Sequence, residues 1–202
     1  MTSPYPPVPA RVATPADIDG IVSTMTTAFF HDPLWGPAFP DESRRAVQAA
    51  AMWRLYVTSA LRYPWTRVTP GAEAAAVWIP PGGTELTHQE ESGMGDLLVR
   101  AAGPDVAKAI LTISDQLEAA HPGEPFFYLS LLGVHDDHRG KGLGMGLLAE
   151  SLARIDDLGA PAYLESSNPS NLARYESVGF NARDEITTAT GHVVTTMWRP
   201  AR

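Results

Sequence analysis

The segment from 126 to 155 constrains the fold of this chain more than any other. Its first part, Phe126–Val134, is an almost continuous apolar run, which is typical of a central strand covered on both faces. A polar turn then leads into a stretch with four glycines at 138–146, followed by Leu147, Leu148, Leu152 and Ile155 at helical spacing. A buried strand, a glycine-rich turn and an amphipathic helix in this order predict an α/β fold.

The rest of the chain supplies strands and helices around this unit. We predict further strands at 11–13, 65–69, 74–79, 162–165, 181–188 and 192–198, and helices at 15–30, 41–62 and 168–178. Residues 84–121 favour two more helices, separated by Gly103-Pro104. The length of 202 residues fits one domain, which we place at 11–202 behind a flexible, proline-containing N-terminal arm at 1–10.

Composition excludes several classes of function. Fifteen basic and 23 acidic residues give a formal net charge of −8, which argues against a nucleic-acid or anionic-membrane partner. The absence of cysteine excludes a thiolate site, and the six histidines are scattered, so we predict no metal site. No apolar run approaches the ~18 residues of a membrane span, and the N-terminus lacks the pattern of a signal peptide. We therefore expect a soluble, cytoplasmic protein.

The glycine-rich turn is the strongest functional signal. Glycines let a backbone approach a ligand closely, and the helix that follows presents unpaired N–H groups and the positive end of its dipole. Arg139 and Lys141 add positive charge, so the turn suits an anion such as a phosphate. A plain turn with solvated basic residues is the alternative that needs no ligand.

Two familiar phosphate-binding motifs fit the turn poorly. Glu165 follows Gly144 by 21 positions, where a dinucleotide fold would place a ribose-binding acid. However, the glycines do not match that motif, and the 56 residues after Gly146 are too few for the second half of such a fold. A Walker A loop also fails, because no Gly-Lys pair is followed by Ser or Thr.

Two blocks carry a resemblance to a known family. Arg139–Gly144 fits the pattern Arg/Gln-x-x-Gly-x-Gly/Ala, and Asn168–Phe180 contains Asn…Ala…Tyr-Glu-x-x-Gly-Phe. On these blocks, and on the strand and turn at 131–139, residues 126–180 resemble the GNAT superfamily of N-acetyltransferases. Thr14–Asp17 and Val77–Gly82 are also similar to the puromycin N-acetyltransferase-like subgroup.

The resemblance implies a particular fold. It is a GNAT-like α/β (α+β) domain, with a mixed central sheet of six or seven strands flanked by helices. The pair of helices at 84–121 departs from the minimal family pattern, in which the third and fourth strands form a tight hairpin. We therefore expect a helical insertion between these two strands.

The resemblance also implies acetyl-CoA as the cofactor. Its pantetheine arm would bind the open edge of the central strand, and its pyrophosphate would bind the glycine turn. The cofactor-binding residues carried over by position are Leu132, Gly133, Val134, Arg139, Gly140, Lys141, Gly142, Leu143, Gly144, Met145, Asn168, Asn171 and Tyr175. For the two asparagines, capping of the short helix is an alternative role.

The chemistry implied is direct attack of an amine on the acetyl thioester of acetyl-CoA. Tyr175 matches the family position of the acid that protonates the leaving sulfur. Glu165, at the end of a strand beside the expected cleft, is our candidate for the base. Other candidates for the base are His31, Asp32, Glu85 and His88.

Large rings in the N-terminal half suggest an acceptor pocket. The segment Phe29–Trp35 leaves a helix where GNAT proteins usually bind the acceptor. The predicted substrate-binding residues are Phe29, Phe30, His31, Trp35, Trp53 and Trp78. Rings at helical spacing are also common in cores. The partner they suggest is a small-molecule amine, and the acidic chain favours a cationic one.

Two alternatives stay open. One is acetylation of a protein or peptide, and the other is a non-catalytic acyl-CoA-binding sensor. The identity of the amine and the length of the acyl group remain open, and so does a homodimeric state.

Overall fold

The computed structural model describes residues 5–6 and 8–202. In this part of the chain the strands are β1 (Arg11–Val12), β2 (Arg67–Val68), β3 (Ala74–Ile79), β4 (Phe127–Val134), β5 (Ala162–Ser166), β6 (Asn181–Thr187) and β7 (Val193–Arg199). The helices are α1 (Ile18–Ala28), α2 (Trp35–Ala38), α3 (Glu42–Ala60), α4 (His88–Ala102), α5 (Pro104–Ala119), α6 (Leu143–Asp156) and α7 (Leu172–Glu176).

The described strands form one mixed, seven-stranded sheet in the order β1-β2-β3-β4-β5-β7-β6. Its pairs are antiparallel except β4 with β5, which run parallel. The insertion predicted between the third and fourth strands is present as α4 and α5. The predicted mixed sheet of six or seven strands with flanking helices is confirmed.

The parallel pair opens shortly after it begins. In the described chain, β4 pairs with β5 only at Phe127 with Ala162 and at Tyr128 with Tyr163. The remainder of β4, up to Val134, runs on without a β5 partner. Backbone N–H and C=O groups on that edge therefore have no partner within the sheet and are available to a ligand.

Two apolar cores cover the two faces of the sheet. One is built with α1, α3, α4 and α5 and includes Met25, Trp53 and Ile110, while the other is built with α6 and includes Leu148 and Phe180. The buried faces of these helices carry their apolar residues at helical spacing, which is why they pack on the sheet.

Local sequence signals set several boundaries. Asp17 accepts a hydrogen bond from the Thr14 N–H at 2.8 Å, which closes the turn before α1. Gly103, with φ of +91°, separates α4 from α5, and Gly159, with φ of +61°, follows α6. These boundaries lie where the sequence predicts them.

Part of the predicted N-terminal arm lies outside the described residues, namely residues 1–4 and 7. Of the described arm, Val8 packs against the core on the α6 side, and the Tyr5 hydroxyl lies 2.8 Å from the Ser177 Oγ. No helix in the described part of the chain has the length and apolar character needed to cross a membrane.

Candidate active site

A cavity of about 1250 Å³ lies where β4 and β5 diverge. One end of the cavity is bordered by the open part of β4, the glycine turn and α7, and the other by residues of α2, α3, α4 and α5. Two regions that are distant in sequence thus share one space.

The glycine turn forms the start of α6. Gly140 and Gly142 have φ of +76° and +75°, in the left-handed region that favours glycine, and Gly142 is the residue before the first turn of α6. A Cβ at either position would meet no atom within 4 Å, so both glycines face open space. The N–H groups of the first helical turn have no partner within the helix, and they carry the positive end of its dipole.

The two basic side chains of the turn bind the protein itself. The Arg139 guanidinium lies 2.8 Å from Asp136 Oδ1 and donates to the carbonyl of Ala28 at 3.1 Å. The Lys141 ammonium donates to the Asp137 carbonyl at 3.2 Å. These contacts hold the turn in shape, and its glycines leave the backbone open to the cavity.

Gly133 and Gly144 are required by packing. A Cβ on Gly133 would lie 2.8 Å from the Sδ of Met25, and one on Gly144 would lie 2.9 Å from a methyl of Val134. Their small size lets α1 and α6 approach β4. The sequence alone does not reveal these contacts.

The predicted cofactor residues gather at one end of the cavity. Those that border it are Leu132, Gly133, Val134, Arg139, Gly140, Gly142, Leu143, Gly144, Met145, Asn168, Asn171 and Tyr175. Lys141 is not among the residues that line the cavity. Asn168 Oδ1 accepts from the N–H of Ser170 at 3.0 Å, which is the capping role foreseen as an alternative. Asn171 Oδ1 accepts from Arg174 at 2.9 Å.

Tyr175 is positioned by α7. Its ring packs edge-on against Phe180, with centroids 6.2 Å apart, and the residue borders the cavity. Burial, aided by the charge of Asp32, raises the pKa of Tyr175 to about 12. The phenol therefore stays protonated at neutral pH and can donate a proton.

Glu165 is buried, with its side chain 5% exposed, and it borders the same cavity. Its Oε1 lies 3.3 Å from the Nε2 of His121. Burial alone would lower the pKa of His121, but the adjacent Glu165 and the charges of Glu85 and Glu118 raise it. The two side chains therefore form an ion pair when the imidazole is protonated. Sequence reasoning did not single out His121, which follows α5 and meets Glu165 only through the tertiary fold.

The predicted acceptor residues divide into two groups. Phe29, His31, Trp35 and Trp53 border the cavity, whereas Phe30 and Trp78 do not. The Arg45 guanidinium lies over the Phe30 ring, with the Arg45 Cζ 5.0 Å from the ring centroid. Trp78 is fully buried in the α6-side core, because neighbouring strand residues point to opposite faces and Val77 occupies the acceptor side. For these two rings the structure corrects the expectation.

Asp32, a candidate base, uses both of its carboxylate oxygens in hydrogen bonds within the protein. Its Oδ1 accepts from the N–H groups of Leu34 and Trp35 at 2.9 and 3.1 Å, and its Oδ2 accepts from the Ser167 hydroxyl at 2.7 Å. The carboxylate thus joins the turn after α1 to the end of β5.

Replacing Asp32 with alanine is expected to lower the free energy of unfolding by about 2–4 kcal/mol, because it leaves buried N–H groups without an acceptor. Urea denaturation followed by circular dichroism measures the change. The Asp41→Ala variant is the control, since Asp41 accepts from the Ser43 N–H at 3.1 Å at an exposed helix start. Equal stability losses in the two variants would contradict the structural role given to Asp32.

The seven-stranded mixed sheet, whose parallel pair opens beside a glycine-rich helix start, has the architecture that the GNAT resemblance implies. The family model described as an acetyltransferase (GNAT) domain matches residues 92–199, which is more than half of the chain. The chain therefore belongs to the GNAT acetyltransferase family.

Solved structures share this fold. A structure described as histone acetyltransferase HPA2 and related acetyltransferase, from Corynebacterium glutamicum, is 23% identical, with a TM-score of 0.70 and 96% of each chain covered. Arylalkylamine N-acetyltransferase 2 from Aedes aegypti is 15% identical, with a TM-score of 0.65, and 96% of this chain and 98% of that chain are covered. A polyamine N-acetyltransferase from Drosophila melanogaster that forms N-acetylagmatine is 17% identical, with a TM-score of 0.62, and 95% of this chain and 98% of that chain are covered.

Proposed function

We propose that this protein transfers an acetyl group from acetyl-CoA to the primary amine of a small, cationic molecule. The observation that carries the proposal is the single cavity, which joins the open edge of β4 and the start of α6 to a pocket lined by rings and carboxylates. Donor and acceptor ends of the kind needed for such a transfer therefore meet in one space.

The donor end fits acetyl-CoA. The edge of β4 beyond Tyr128 has no β5 partner in the described chain, so its backbone groups can bond the amides of a pantetheine arm. Around Gly142, open space and the N–H groups at the start of α6 suit the pyrophosphate. Acetyl-CoA supplies the activated acetyl thioester.

Tyr175 is proposed as the acid. The incoming amine must lose a proton and the departing sulfur must gain one when the nitrogen–carbon bond forms and the carbon–sulfur bond breaks. A phenol with a pKa of about 12 is protonated at neutral pH and can supply the proton to sulfur, and the phenolate left behind takes up the proton that the amine nitrogen loses. Its place on α7, beside the donor end of the cavity, supports this role.

The acceptor end favours a cation. Among the carboxylates that border it are Glu85 after β3, Glu118 on α5 and Glu165 on β5. Phe29, Trp35 and other rings complete its wall and can hold an ammonium group by a cation–π contact. Glu118 and its neighbours on α5 come from the insertion, which closes this end of the cavity. Two of the solved relatives act on small amines by their names, and we extend that substrate class to this chain.

A screen for thiol release tests the proposal. The protein and acetyl-CoA are incubated with one acceptor at a time. The acceptors are agmatine, an arylalkylamine, an uncharged weakly basic amine and a lysine-containing peptide. We expect thiol release above background with the small cationic amines, and a higher kcat/KM for them than for the peptide. Turnover of peptides alone would instead support the protein-acetylating alternative. Tight binding of acetyl-CoA without thiol release from any acceptor would support the sensor.

A further inference from the structure

We infer that Glu85 accepts the proton from the incoming ammonium group, in the place that sequence analysis gave to Glu165. The inference rests on the proposed function, because it names the base of the same site. In this step a carboxylate and an alkylammonium become a carboxylic acid and a neutral amine, so charge and protons balance.

The first observation is the way that Glu85 is held in the cavity. It lies in the connection between β3 and α4, and its Oε1 accepts a hydrogen bond from the hydroxyl of Ser130 on β4. The backbone of this connection is fixed by Arg62, whose guanidinium donates to the Thr84 carbonyl at 2.7 Å. The carboxylate is thus held on the central strand by Ser130, and Arg62 fixes the backbone of the residue before it.

The second observation is the position of Ser130 at an irregularity of the sheet. On β4, Leu129 pairs with Trp78 of β3 and Leu131 pairs with Val77. Because Val77 and Trp78 are consecutive, Ser130 is an extra residue in β4, which forms a β-bulge. Such a bulge bends a strand and re-aims a side chain, and bulges are common next to active sites. It lies just beyond the last β4–β5 pair, at Tyr128, where the open edge begins. Glu85 is therefore attached to β4 at the start of its open edge, on the border of the cavity.

The third observation is the surroundings of the carboxylate. Six side chains from four elements and one connection act on Glu85. They are Tyr56 of α3, Glu118 of α5, His121 in the connection after α5, both Tyr128 and Ser130 of β4, and Glu165 of β5. Burial and the charges of Glu165 and Glu118 raise the pKa of Glu85, whereas the hydrogen bond from Ser130 and the charge of His121 lower it. The first set outweighs the second, and the pKa of Glu85 is raised to about 7. A base with a pKa near the working pH takes a proton from an ammonium of pKa ~10 more readily than an ordinary carboxylate does.

Glu165 differs in its pairing. Its Oε1 lies 3.3 Å from His121, whose raised pKa favours the charged imidazole, so the negative charge of Glu165 already has a partner. We therefore give Glu165 a positioning role, in which its ion pair with His121 fixes the wall beside Glu85.

Kinetics with a matched pair of acceptors test the inference. Glu85→Gln keeps an oxygen that can accept from Ser130 but removes the base. With ethylamine, an ammonium ion near neutral pH, we expect kcat/KM to fall by about 100-fold or more. With trifluoroethylamine, which is uncharged there, we expect a loss below about tenfold, because no proton has to be removed first.

The pH profile distinguishes the two carboxylates. In the parent, kcat/KM for ethylamine should fall as the pH drops through about 7, where Glu85 becomes protonated. Glu85→Gln should lose this limb, while Glu165→Gln should keep a limb, shifted in pH because the Glu165 charge that acts on Glu85 is gone, even if its turnover is lower. Glu124→Gln is the matched control, since Glu124 borders the cavity but is 57% exposed and paired with Arg183 at 3.6 Å.

An infrared titration gives a readout independent of turnover. The difference spectrum between the parent and Glu85→Gln should show one carboxyl group that titrates near pH 7. Absence of that band, equal losses with both amines, or a parent-like profile in Glu85→Gln would each overturn the inference. A parent that shows the band but releases no thiol with any amine would overturn the proposed function, and with it the role of Glu85 as a base.

Discussion

Replacing Tyr175 with phenylalanine is expected to lower kcat by about 100-fold or more, because general acid catalysis typically contributes a factor of ~10²–10⁴. The phenylalanine ring keeps the edge-on contact with Phe180, whose centroid lies 6.2 Å away, so α7 should stay in place. The KM for acetyl-CoA should therefore change little. Steady-state thiol release at saturating amine measures both constants.

The control for this variant is its thermal unfolding midpoint, which should stay within a few degrees of the parent's because no volume beyond one hydroxyl is lost. A variant with an unchanged midpoint and an unchanged kcat would remove Tyr175 from the chemistry. A raised KM for acetyl-CoA with an unchanged kcat would give it a binding role instead.

Replacing Gly142 with valine should raise the dissociation constant of acetyl-CoA about tenfold or more. Gly142 has φ of +75°, where a residue with a Cβ loses ~1–2 kcal/mol. A backbone that leaves this conformation turns N–H groups of α6 away from the cavity, and the loss of one charge-assisted bond costs a further ~1.5–3 kcal/mol. Since ~1.4 kcal/mol corresponds to a factor of ten, the loss of that bond alone is enough. Isothermal titration calorimetry measures the constant.

Gly191 provides a matched control for this variant. It has φ of +81° in the turn between β6 and β7, and a Cβ there would also meet no atom within 4 Å, but it does not border the cavity. Gly191→Val should therefore suffer similar backbone strain and bind acetyl-CoA as the parent does. Equal affinities for parent, Gly142→Val and Gly191→Val, all folded, would refute the assignment of this turn to the cofactor.

Features encoded by neighbouring residues could be predicted from the sequence. The apolar run of β4, the Gly103 break between α4 and α5 and the left-handed glycines of the turn all depend on local sterics and burial. The GNAT resemblance also rests on contiguous blocks, and the family match supports it.

Features that join distant residues could not be predicted. The contact between Glu85 and Ser130 spans 45 positions, and it depends on a bulge in β4 that leaves no mark in the hydrophobic pattern. Trp78 lies in a strand whose six residues are all buried, so alternation cannot reveal which face each side chain occupies. The two asparagines of the Asn168 block show the same limit, because a cap and a ligand contact require the same residue type.

The most direct test of the central claim is a stoichiometric measurement on the parent protein with acetyl-CoA and a small cationic amine. Free thiol and acetylated amine are quantified in the same reaction by a colorimetric thiol assay and mass spectrometry. The account predicts one acetylated amine for each thiol released, with neither product formed when the protein or the amine is omitted. Thiol release without an acetylated amine, or acetyl-CoA binding without either product, would contradict it.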